Sequence, residues 1–166
     1  PEESIEAMAK EKGVTAAELA YEILIENDGN NFIYAPLVNY ADHTFGVCKK
    51  MLDDKNAIMG LGDGGAHVGF ILDAGYPTWL ISYWSVKQKA YSMEETVRRL
   101  TSDTANAAGL NDRGLLKVGL KADINIIDWE NVGSSDPFMT QDLPAGGKRL
   151  MQHTKGYETT IVSGVV

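Results

Sequence analysis

Cysteine is nearly missing from this chain. Cys48 stands alone among 166 residues, so no internal disulfide can form, and a reducing, cytoplasmic compartment suits it. Positive charge is also short: 15 lysines and arginines face 23 aspartates and glutamates, a formal net charge of -8. Nothing basic is clustered, which argues against nucleic acid or an anionic membrane surface as a partner. No apolar run is long enough to span a bilayer, and no stretch reads as a signal peptide. The hydrophobic share of 44% is ordinary and excludes a disordered chain. The length suits one domain, or one and a fraction, with a real core. Pro1 opens the chain and Gly164-Val165-Val166 closes it inside an apolar run. Both ends look cut, and a piece of something longer is expected.

Periodicity and capping signals divide what is present. Residues 4–12 put Ile5, Met8 and Ala9 on one helical face, with Gly13 closing the segment. Thr15-Ala-Ala-Glu18 is a capping box, opening a helix with Leu19, Ile23 and Leu24 inward that runs to Asn27-Asp28-Gly29. Residues 31–35 read as a strand. Asp42 is expected to cap a third helix carrying Phe45, Cys48, Met51 and Leu52. Helices of this length between apolar runs suit crossovers between parallel strands. Pro77 suits the first turn of an aromatic-rich helix through about Lys89, whose rings are expected to fill a core or cover an interface. Ser92-Met-Glu-Glu95 is a second capping box, with Val97 and Leu100 inward, and a short helix over 104–108 is stopped by Gly109. Beyond Leu110 helical periodicity ends. Residues 122–128 and 159–163 read as strands, Ser163-Gly164 as a hairpin turn, and 134–148 as a loop holding Pro137 and Pro144.

The stretch Ala57-Ile-Met-Gly-Leu-Gly-Asp63-Gly-Gly-Ala-His67 carries the chemistry. Residues 57–61 read as a buried strand, and a carboxylate and an imidazole come after it at its carboxyl end, where parallel α/β folds keep their active sites. Two readings fit the local pattern. In one, Asp63 and His67 serve catalysis beside glycines that admit a ligand; in the other, Asp63 caps a helix after a Gly-rich turn and His67 packs.

These residues, with Asn39-Tyr40, Leu100-Thr-Ser-Asp-Thr-Ala-Asn-Ala-Ala-Gly-Leu110, Asp112-Arg-Gly114, Gly119-Leu-Lys-Ala-Asp-Ile-Asn-Ile-Ile-Asp128 and Thr160-Ile-Val-Ser-Gly164, succeed one another in an order that resembles the C-terminal third of a metal-dependent amidohydrolase. The chain looks closest to the N-acyl-D-amino acid deacylases (D-aminoacylases), and the similarity covers nearly all of it.

The resemblance implies an α/β fold: the C-terminal portion of a (β/α)8 amidohydrolase barrel plus part of a small β-sandwich. Residues 1–114 would be the last βα units and closing helices of the barrel, and 115–166 part of a composite β-sandwich. It implies hydrolysis of the amide bond of an N-acyl-D-amino acid, with Asp63 as proton shuttle and metal neighbour beside one or two zinc ions. Asn39, Gly64, Gly65 and His67 would meet the small-molecule substrate.

Two departures from that family stand out. Gly62 replaces the serine usual before the aspartate, and His43, His67 and His153 include no His-x-His pair, whereas zinc needs three or four converging donors. The expectation is therefore that most metal ligands lie outside this chain and that the chain alone is inactive. Two barrel units would leave open strand edges, so association into a homo-oligomer is a further expectation. A cyclic amidase or deaminase of the same superfamily and a non-catalytic α/β interaction module are the rival readings.

Overall fold

The computed structural model describes residues 2–36, 38–61 and 65–166. The chain forms two compact units, Pro1–Ala57 and Ile58–Val166.

In the first unit, α1 (Ile5–Lys12) starts at Ser4, whose hydroxyl accepts from the Ala7 amide, and ends at Gly13 in the left-handed region. α2 (Ala16–Gly29) opens with the expected capping box. Thr15 Oγ1 accepts the Glu18 amide at 3.2 Å and the Glu18 carboxylate accepts the Thr15 amide at 2.9 Å, so two orphan donors are satisfied. Ala9 and Leu19 are buried where the two helices pack. Leu24 stays 44% exposed, contrary to the inward placement expected for it. Regular helical geometry is lost from Glu26, with Asn27 and Asp28 left-handed.

Asp42 does not cap α3 (Gly46–Asp53). Its carboxylate instead accepts from the Thr44 amide and hydroxyl, and Thr44 Oγ1 accepts the Gly46 amide at 3.2 Å. A short aspartate reaches the amide two residues on more easily than a helix that begins further along.

In the second unit, Pro77 lies in the first turn of α4 (Tyr76–Trp79), which runs on as a π-helical segment, Leu80–Lys87. Thr78, Leu80, Ile81, Trp84 and Ser85 are buried here with Tyr91. Trp84 stands edge-on to Trp79 and Tyr83, which stack on each other at 4.8 Å; Trp84 and Tyr91 lie in the core, while Trp79 stays 38% exposed. α5 (Met93–Leu100) starts at Ser92, whose hydroxyl accepts the Glu95 amide, while the Glu95 carboxylate accepts from Arg99. Val97 is 43% exposed and Thr96 is wholly buried instead. That burial leaves no orphan, because Thr96 Oγ1 donates to the Ser92 carbonyl at 2.8 Å. α6 (Ser102–Ala107) buries Ala105.

The rest is β structure: β1 (Ile124–Ile127), β2 (Gly133–Ser134), β3 (Phe138–Leu143), β4 (Gly147–Met151), β5 (Thr154–Lys155) and β6 (Tyr157–Ile161). They pair as three antiparallel two-stranded sheets, β1–β6, β2–β5 and β3–β4. The Ser163-Gly164 turn is present: both residues have positive φ, and Val162 and Val165 exchange backbone hydrogen bonds around them. The span 134–148 is not a loop. Its Pro144 and Gly146 form the turn of the β3–β4 hairpin, across which Arg149 grips the Asp142 carboxylate with two nitrogens.

The strands expected over 31–35 and 57–61 do not form. Among the described residues every strand pair is antiparallel and no closed barrel exists, so the architecture is mixed helix and strand. A parallel strand needs neighbours to hydrogen-bond on its edges, and neither segment has one among the described residues. No helix of the described residues is long and apolar enough to cross a membrane.

This packing makes two variants informative. Gly156 has φ +83°, and a Cβ there would lie 2.7 Å from Val132 Cα, a buried backbone that cannot yield. Gly156→Ala is expected to cost about 2–4 kcal/mol, from strain plus overpacking, read from the urea midpoint. The hydrogen bonds from Arg149 hold the Asp142 carboxyl below its ordinary value of 3.8, and those from Arg113 do the same for Asp112. A depressed folded-state value adds stability that is present above pH 3.8 and lost as pH falls below it. Asp142→Asn is therefore expected to lower stability slightly at neutral pH, where the ionised carboxyl contributes, and to change little well below pH 3.8, which flattens the acid limb of a stability–pH curve.

Candidate functional site

Asp63 and Gly64, with Gly62, lie outside the described residues, so the site is built from Gly65 onward. Gly65 has φ +87°, and among the described residues nothing lies within 4 Å of where its side chain would be. His67 also has positive φ, at 50°, and is exposed. Its carbonyl accepts the amides of Phe70 and Ile71, each at 3.0 Å, closing a tight turn. Its ring lies on Phe70, centroids 5.2 Å apart. The reading in which His67 packs into a core does not hold, because Phe70 is itself 68% exposed.

The turn is fastened from a distance. The Leu150 amide of β4 donates to the Val68 carbonyl at 2.8 Å. At the far end of the loop, Gly75 lies against Gln152 and Ser134: a Cβ there would stand 3.4 Å from Gln152 Oε1 and 3.8 Å from Ser134 Oγ. Residue pattern does not announce this support, because 134–148 carries turn formers and its strand residues alternate weakly.

Asn39 belongs to the first unit. It is exposed and left-handed, φ 61°, and its carbonyl faces the Cys48 thiol at 3.8 Å. Gly65 and His67 thus share one loop, while Asn39 sits in the other compact unit. A groove of about 680 Å³ along α3, lined by Val47, Lys50, Met51, Asp54 and Ala57, holds none of the expected site residues.

Among the described residues no three or more His, Cys, Asp or Glu side chains converge on a point that could hold a metal ion. Zinc takes three or four such donors, so the described residues do not fit it. His43 meets Tyr40 edge-on at 6.1 Å, and His153 lies over Phe138 at 4.7 Å with its amide donating to Ser135 Oγ. Among the described residues neither imidazole belongs to a group of three potential ligands.

The model of the amidohydrolase family matches the chain over residues 1–166. No curated protein and no solved structure matches it.

The exposure of His67 separates folding from function. His67→Ala is expected to change stability by less than about 0.5 kcal/mol in urea unfolding, as for an ordinary surface position. Gly65→Ala, strained only by its positive φ, should cost about 1–2 kcal/mol. A larger loss in either variant would mean that the loop is part of a packed core.

Proposed function

The chain belongs to the amidohydrolase family, and from that premise we propose that it is the C-terminal part of a hydrolase that cleaves the amide bond of N-acyl-D-amino acids. The observation that carries the hydrolase part of the reading is the family match across all 166 residues. The order of the motifs favours the deacylase branch. Residues 1–114 are assigned to the last βα units and closing helices of a TIM-type barrel and 115–166 to part of a composite β-sandwich. The all-antiparallel pairing of β1 to β6 supports the second assignment.

An amide resists hydrolysis because its nitrogen leaves poorly unless protonated. Asp63 is assigned the proton of the attacking water, which it holds as a carboxylic acid and returns to the departing amine. A positioned acid and base of this kind is worth about 10²–10⁴-fold in rate. Gly64 and Gly65 are assigned the open approach to the substrate, and His67 and Asn39 are assigned contacts to it. Zinc, as one or two ions, would take most of its ligands from outside this chain, whose three histidines include no His-x-His pair.

The test compares this chain alone with the full-length polypeptide that carries it. The chain alone should bind less than one equivalent of zinc and turn over no N-acyl-D-amino acid. The longer polypeptide should hydrolyse N-acyl-D-amino acids in preference to their L forms, and Asp63→Asn should lower kcat by about 10²–10⁴-fold with an unchanged circular dichroism spectrum. Turnover of cyclic amides only would overturn the substrate class. Hydrolysis insensitive to Asp63→Asn would overturn the assigned shuttle.

A further inference from the structure

We propose that the β3–β4 hairpin is the positioning element of the Gly-rich loop, acting through the single backbone hydrogen bond from the Leu150 amide to the Val68 carbonyl. As a statement about catalysis this rests on the functional reading above, which puts Asp63 and His67 at the site.

The register of the hairpin pairs Phe138 with Met151, Met139 with Leu150 and Thr140 with Arg149. Along an antiparallel strand the amides point alternately toward and away from the partner. The Leu150 amide goes to Val68 at 2.8 Å, so it lies on the outer edge of β4, and Arg149 and Met151 face β3. An outer-edge amide of a two-stranded ribbon ordinarily meets water or recruits another strand. Here it holds the carbonyl next to His67, in a turn already closed by the two bonds to the His67 carbonyl.

Both parts of this join carry further bonds. Arg149, adjacent to Leu150, is locked to Asp142 across the hairpin. The base is fixed where the Ser135 amide donates to the His153 carbonyl at 2.8 Å and Gln152 Nε2 donates to the Ser135 carbonyl at 2.9 Å. Gln152 also lies near Gly75, just before α4, where an added Cβ would stand 3.4 Å from its Oε1. A loop held this way has little freedom to shift, and a displacement of about 1 Å at a reacting group can cost about 10²-fold in rate.

Amide exchange followed by NMR on the 166-residue chain tests the join. The Leu150 amide should exchange about 10-fold or more slowly than that of Lys148, two residues back on the same edge. Leu150→Pro removes the donor and crowds the Val68 carbonyl with its ring, while the amides that face β3 keep their own bonds. It should shift the His67 ring resonances while the Arg149 and Met151 amides keep their protection. Should that variant lose the hairpin, Arg149→Ala is the second probe: it loosens the hairpin without removing the bond and should speed Leu150 exchange. In the active polypeptide Leu150→Pro should lower kcat/KM by about 10–100-fold at unchanged Tm. Leu150 exchanging as fast as Lys148, His67 resonances unmoved by Leu150→Pro, or kcat/KM unmoved by it would each overturn the proposal. Failure of the functional reading has a separate signature, hydrolysis insensitive to Asp63→Asn, and leaves the exchange result standing.

Discussion

A strand cannot hold itself. Its amides and carbonyls need a neighbour on at least one edge, and where that neighbour comes from decides which parts of this chain become regular. Each β-strand that forms has its partner within the last part of the chain. β3 and β4 are joined by one short turn, and β1 and β6 close an antiparallel pair around the segments between them. Residues 31–35 and 57–61 have the composition of buried strands and no strand beside them among the described residues, and they stay irregular. Helices need no such partner, since their hydrogen bonds are internal. α1, α2, α5 and α6 therefore form close to the places their sequences mark.

That distinction also explains which features are legible in the sequence. The Thr15–Glu18 box, the Ser92 cap, the Gly13 stop and the Ser163-Gly164 turn each depend on residues within about four positions of one another, and each is found. Expectation and structure part where a residue has a choice of partners. Asp42 finds Thr44 before it can reach α3, and Thr96 displaces Val97 from the interior because its hydroxyl has a carbonyl one turn back. The β3–β4 hairpin is hidden by its polar residues: Thr140, Gln141 and Asp142 read as loop, yet Asp142 is half of the ion pair that grips the turn.

The candidate site divides the same way. The motif around Asp63 and His67 is legible because glycine, carboxylate and imidazole are unusual together, and the fold leaves Gly65 open and His67 exposed. Missing from any local reading is the support of that loop, which comes from Leu150 and Gln152, far away in sequence. Long-range backbone bonds leave no trace in residue type, because any residue but proline can donate one.

The same logic orders the chemistry. A carboxylate that shuttles a proton has to stay within hydrogen-bond reach of both the water and the leaving nitrogen. Glycines flank Asp63 in the sequence, so the role proposed for it would draw its support from the chain that follows. The turn at His67, closed on its own carbonyl and pinned through Val68 to a hairpin locked by Arg149 and Asp142, would be that support. Under the proposed function, that tie would hold the residues after the glycines in place while substrate binds.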